Sequence, residues 1–84
     1  MLERDIEKAL CKKVKELGGT CEKYTSPSRR FVPDRLVMLP DKRIIFVECK
    51  ALGKVPTIAQ KNDHDRRRAM GFDVIVIDSM EQVN

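Results

Sequence analysis

Residues 32–50 read VPDRLVMLPDKRIIFVECK, two apolar, β-branched runs separated by Pro40-Asp41-Lys42, and this stretch decides the fold. Such runs on either side of a Pro/Asp turn spell a β-hairpin, Asp34 to Leu39 followed by Arg43 to Cys49. Strand side chains alternate between faces, so Glu48 and Lys50 share one face while Cys49 takes the other and packs in the core. Counted from the turn, Asp34 lies six residues before Pro40 and Glu48 six after Lys42. The two carboxylates therefore reach the same level of the sheet, with the Lys50 ammonium beside them.

Working outward, apolar residues at Leu2, Ile6, Ala9, Leu10, Val14 and Leu17 recur at helical spacing, and Gly18-Gly19 ends that helix. Thr20 to Tyr24 reads as a short strand, and the segment from Thr25 to Arg30 as a loop. Beyond the hairpin, Gly53 to Pro56 is a loop, and Thr57 is placed to cap a helix from Ile58 to Met70 that stops at Gly71. Phe72 to Ile77 (FDVIVI) is an almost wholly apolar strand of the kind buried on both faces. Asp78 or Ser79 then caps a short final turn. The order α-β-β-β-α-β predicts an α/β fold, a mixed β-sheet flanked by helices. Its crossover helix makes the last two strands parallel.

Eighty-four residues make one domain, 1–84. A core this small is marginal alone, which favours a second chain covering apolar surface. A net charge of +4 and a pI near 9.2 suit a polyanionic partner such as nucleic acid. With only Tyr24, Phe31, Phe46 and Phe72 as aromatics, a module that stacks successive single-stranded bases is disfavoured. Tyr24 and Phe31 read as core or dimer packing. Cys11, Cys21 and Cys49 show no paired spacing, so neither a disulfide framework nor a zinc site is expected, and a reducing cytosol is. No apolar run approaches the ~20 residues of a membrane span, and the N-terminus has no signal-peptide core.

Asp34 and Glu48 fit the ligand inventory of a hard divalent ion such as magnesium, which takes one or two carboxylates and leaves room for water and phosphate. The backbone carbonyl of Cys49 offers a further oxygen. Glu3 and Glu7, four apart on one helix face, are alternatives for an additional ligand, direct or through water. Lys50 would orient a nucleophile or stabilise charge at a phosphoryl group. An acid and a lysine at a strand end are commonly just a surface ion pair. Pro33-Asp34 opening the preceding strand, and the apolar lead-in Ile44-Ile45-Phe46-Val47, favour a cleft instead. Arg29, Arg30, Lys42, Lys54 and Lys61 are the candidate phosphate contacts. Arg66-Arg67-Arg68 sits where cations complement a helix C-terminus, and His64 reads as a surface or capping residue.

Together, Glu3-Arg4-Asp5-Ile6-Glu7, Gly18-Gly19, Ser26-Pro27, Arg30, Pro33-Asp34-Arg35-Leu36, Val47-Glu48-Cys49-Lys50 and Gln60 resemble the virus-type replication and repair nuclease family, VRR-NUC, of the PD-(D/E)XK superfamily. The resemblance covers nearly the whole chain, in the stand-alone form of phages and bacteria. It implies a restriction-endonuclease-like core with Asp34, Glu48, Lys50 and Gln60 as the catalytic set, Gln60 holding a water or a DNA phosphate. It further implies magnesium, or manganese in its place, and a homodimer that cuts branched DNA as Holliday-junction resolvases do, in the host cytoplasm. The family's pattern favours Glu3 as the extra ligand, whereas the spacing in archaeal resolvases favours Glu7. Family glycines are replaced here by Ser28 and Phe31, in the loop before Asp34. The alternative is a non-catalytic DNA-binding or assembly module on the same fold. A restriction-type enzyme is disfavoured because no residues remain for a domain that reads base edges.

Overall fold

The N-terminal apolar stripe folds as α1 (Glu3–Glu16) in a computed structural model that describes residues 2–83. Ile6, Leu10 and Val14 form its buried face. The two glycines after it do different jobs. Gly18 takes φ +84, the left-handed region that turns the chain out of the helix, and at Gly19 a Cβ would collide with the Met38 carbonyl oxygen. Close approach at Gly19 lets the chain drop directly into the sheet.

That sheet has four strands in the spatial order of the chain: β1 (Thr20–Lys23), β2 (Arg35–Met38), β3 (Ile44–Cys49) and β4 (Asp73–Ile77). The first two pairings are antiparallel, and β4 joins β3 in parallel after the crossover helix α2 (Ile58–Ala69). A last turn, α3 (Met80–Val83), follows, and the Asp78 backbone N–H ahead of it donates to the Gln82 side chain at 2.7 Å. The mixed α/β architecture is the one expected from the hairpin and crossover pattern.

The two sheet faces are filled differently. On one, Ile6, Leu10 and Val14 of α1 pack on Val37, Val47, Cys49 and Ile77, with Met80 and Val83 of α3 at the margin. Cys49 is fully buried there, its thiol pushed upward by burial and therefore inert. Also on this side, the Cys11 and Cys21 sulfurs lie 3.0 Å apart, and burial followed by the Cys11 contact pushes Cys21 up to about 12. The opposite face meets α2 through a polar and aromatic set. The Arg67 guanidinium lies 5.2 Å from the Tyr24 ring centroid and 4.7 Å from that of Phe46, and its Nε donates to Asp63 at 2.8 Å. Phe46 in turn stacks edge-on to Phe72 at 6.0 Å. Tyr24 is thus a packing residue.

The arginine run is consumed by structure: Arg66 pairs with Asp63, and Arg68 pairs with Asp65 and donates to the Val74 carbonyl at 2.8 Å. One expectation fails. The last strand is not buried on both faces: β4 is a sheet edge, and Ile75 is 43% exposed, outside the cluster that packs on α1. Among the described residues two other than glycine have left-handed backbones, Phe31 at φ 62 and Lys42 at φ 70. At Phe31, where the resemblance leads to the expectation of a glycine, this chain accepts a conformation costly to a bulky residue.

Candidate active site

The hairpin register sets the site. Arg35 pairs with Val47, so one step further along places Asp34 opposite Glu48, at the end of the sheet away from the turn. Asp34 is fixed there twice: its carbonyl accepts from the Tyr24 N–H at 2.9 Å, and its Oδ2 accepts from the Cys49 N–H at 2.8 Å. Glu3, in the first turn of α1, completes a cluster. One carboxylate oxygen from each of Glu3, Asp34 and Glu48 lies within 4.8 Å of the others. Lys50 Nζ stands 3.5 Å from Glu48 Oε2, on the face alternation requires.

Glu7 lies elsewhere. Its Oε1 accepts from Arg35 Nε at 2.9 Å, on the α1 side of the sheet, so its carboxylate is already matched by a guanidinium. Of the two alternative acids, the geometry brings only Glu3 to Asp34 and Glu48.

Burial and crowding shape the electrostatics. Glu48 is 1% exposed, and burial first, then the Asp34 charge and hydrogen bond, push its carboxyl up to about 8 despite Lys50. Glu3 is raised as well, by burial and then by Asp34. Among the described residues three acids meet there with the Lys50 ammonium, so the site is short of positive charge. Glu48 Oε1, sealed from solvent, has no hydrogen-bond partner among the described residues. Hard oxygen donors crowded in this way are the donor set for a hard divalent cation, so the residues present fit such an ion.

Opposite that orphaned oxygen lies His64, whose Nε2 is 3.6 Å away and likewise unpartnered. The imidazole is 1% exposed, and burial, then Arg68, lower its pKa, which favours the neutral ring. His64 is therefore no surface or capping residue, a correction to the reading of a lone histidine among charged neighbours. The spacing of Gln60 and His64 along one helical turn was the available signal; the buried partner lies across the fold on β3.

Gln60 is engaged in the helix cap. Its Oε1 accepts from the Thr57 N–H at 2.9 Å, while its own N–H donates to Thr57 Oγ1 at 3.2 Å, a capping box. Among the basic candidates, Arg29 and Arg30 are exposed in the loop before Asp34, Lys54 in the loop after Lys50, and Lys61 on α2. Lys42 is different: it sits in the hairpin turn, about 20 Å along the strands from Glu48 at ~3.3 Å per residue. The structure separates it from the cluster, because a residue at the turn is at the opposite end of the hairpin from the carboxylates.

No family model matches the sequence. The chain is 53% identical over 79 residues, spanning 94% of its own length and 85% of the relative's, to a protein named "Putative nuclease p44" in Acyrthosiphon pisum secondary endosymbiont phage 1. A solved structure described as a VRR_NUC domain matches with a TM-score of 0.91 and 35% identity, over 96% of this chain and 88% of that one.

Proposed function

Because the chain belongs to the VRR-NUC family, we propose that it is a DNA nuclease that hydrolyses phosphodiester bonds within branched DNA and depends on magnesium or manganese. The observation that carries this reading is the convergence of Glu3, Asp34 and Glu48 with Lys50 at one end of the sheet. Asp34 and Glu48 would hold the ion, with Glu3 and the Cys49 carbonyl as further oxygen donors. A divalent ion bound there supplies Lewis-acid activation of water and neutralises charge on the phosphate.

The remaining work falls to side chains. Asp34 is held in place by the Cys49 N–H, so its free oxygen is oriented before any ligand arrives. Lys50, on the same face as Glu48, would donate to the attacking water or to a phosphoryl oxygen as negative charge builds. Arg29, Arg30, Lys54 and Lys61 would grip the flanking backbone, since guanidinium and ammonium groups position phosphates without reading sequence. With its Oε1 committed to the cap, Gln60 has only its amide N–H groups to offer a phosphate. A two-fold dimer acting in the host cytoplasm would present two such sites to opposed strands of a junction.

The test is cleavage of end-labelled four-way junction, flap and linear duplex DNA in magnesium, in manganese and in chelator. Paired, metal-dependent incision of the junction is the expected result. Tight binding with no cut in either metal would instead identify a non-catalytic module.

A further inference from the structure

We propose that His64 is a positioning residue for Glu48, so that α2 takes part in building the metal site; the inference rests on the nuclease reading above. Glu48 has two oxygens with different neighbours. Oε2 lies 3.5 Å from Lys50 Nζ, and Oε1 lies 3.6 Å from His64 Nε2. Both Oε1 and Nε2 are sealed from water, and among the described residues neither has another hydrogen-bond partner. Leaving a buried polar atom unsatisfied is costly, so two such atoms facing each other are each other's natural partner. A closure of a few tenths of an ångström makes the Nε2–H to Oε1 hydrogen bond.

The helix that carries His64 is anchored to hold it there. One residue before it, Asp63 accepts from Arg67 at 2.8 Å, and that guanidinium lies against the Tyr24 and Phe46 rings and reaches the Tyr24 hydroxyl at 3.4 Å. At the end of α2, Arg68 donates to the Val74 carbonyl of β4 at 2.8 Å. These ties pin α2 to the sheet on either side of the imidazole, which leaves His64 little freedom to leave the carboxylate. A hydrogen bond from His64 fixes the carboxylate plane of Glu48 and leaves Oε2 for the ligand side, the role that groups behind a metal-binding carboxylate play elsewhere. Lys50 alone does not achieve this, because its ammonium contacts Oε2 only.

The deciding experiment compares wild type, His64→Leu and His64→Gln. Manganese affinity is measured without DNA, by calorimetry or by the loss of the free-ion electron paramagnetic resonance signal. Melting temperature in chelator and the kcat and KM of cleavage are read in parallel. Removing the donor in His64→Leu should weaken manganese binding and lower kcat by about 10–100-fold, with KM for DNA unchanged. His64→Gln, which restores an N–H donor, should recover both to within roughly threefold of wild type, against that same range. If His64→Leu does not fold, His64→Phe, which keeps a ring, takes its place. Wild-type manganese affinity in the apolar variant overturns the proposal, as does equal damage in His64→Gln with both variants fully folded. Failure of the wild-type protein itself to bind manganese is a different result: it removes the nuclease reading and this inference with it.

Discussion

Replacing Glu48 with glutamine should stabilise the metal-free protein at alkaline pH while it abolishes cleavage. The Glu48 carboxyl is raised from 4.5 to about 8 by burial and by Asp34. The unfolded chain releases that proton near the ordinary carboxylate value, whereas the folded chain keeps it. Between those two values the native state binds more protons than the unfolded state, so stability falls as pH rises through the window and the loss is complete above it. At pH 7 the retained proton corresponds to at most about 3–4 kcal/mol of lost stability, at ~1.4 kcal/mol per pH unit. Glutamine keeps the shape and carries no titrating group. Even a third of the effect, about 1 kcal/mol, moves the melting temperature of a domain this size by about 4–8 °C. Thermal melts of wild type and Glu48→Gln in chelator at acid, neutral and alkaline pH read this directly. The two curves should converge near pH 4.5 and separate by pH 8 with the variant higher, and manganese should raise the melt of wild type only. A variant that melts at or below wild type at pH 8 would refute the assignment of Glu48 as a strained, cation-seeking carboxylate.

Other changes probe different parts of the account. Lys50→Ala is expected to lower kcat by about 10²–10³-fold, the usual loss for one transition-state donor, with junction affinity in a gel-shift assay nearly unchanged. Arg67→Met leaves the buried Asp63 carboxylate short of its main partner and should cost about 3 kcal/mol in urea denaturation, most of it recovered when Asp63→Leu is added. Lys42→Gly relieves a positive φ and should raise stability by about 0.5–1 kcal/mol, while cleavage and DNA affinity stay at wild-type levels because Lys42 is at the far end of the hairpin.

The hairpin was legible because its period and turn leave one register, and that register alone places Asp34 level with Glu48. The capping residue Thr57, the glycine stops and the parallel crossover were readable for the same reason: each is a local rule with few alternatives. The burial of β4 was not, since an apolar run looks the same whether a strand lies inside a sheet or at its edge, and only the strand order makes Ile75 an edge residue. On α2 the inward face carries Asp63, His64 and Arg67, residues a periodicity argument assigns to solvent. They are buried because they satisfy one another and the aromatic rings of Tyr24 and Phe46, a compensation that depends on contacts across the sheet. Glu3 and Glu7 share a helix face in the sequence; what separates them is Arg35, which claims Glu7 from β2. Lys42 illustrates the converse, a basic residue near the motif in sequence yet remote from it in space.

The central claim, that the carboxylate cluster of Glu3, Asp34 and Glu48 is a divalent-ion site for cutting DNA, is tested most directly with wild type and Asp34→Asn on one labelled junction. Both proteins are assayed in manganese and in chelator, with binding followed in the same samples. Wild type should cleave in manganese alone, and Asp34→Asn should bind without cleaving in both conditions. Cleavage that survives the chelator, or that survives in Asp34→Asn, would contradict it.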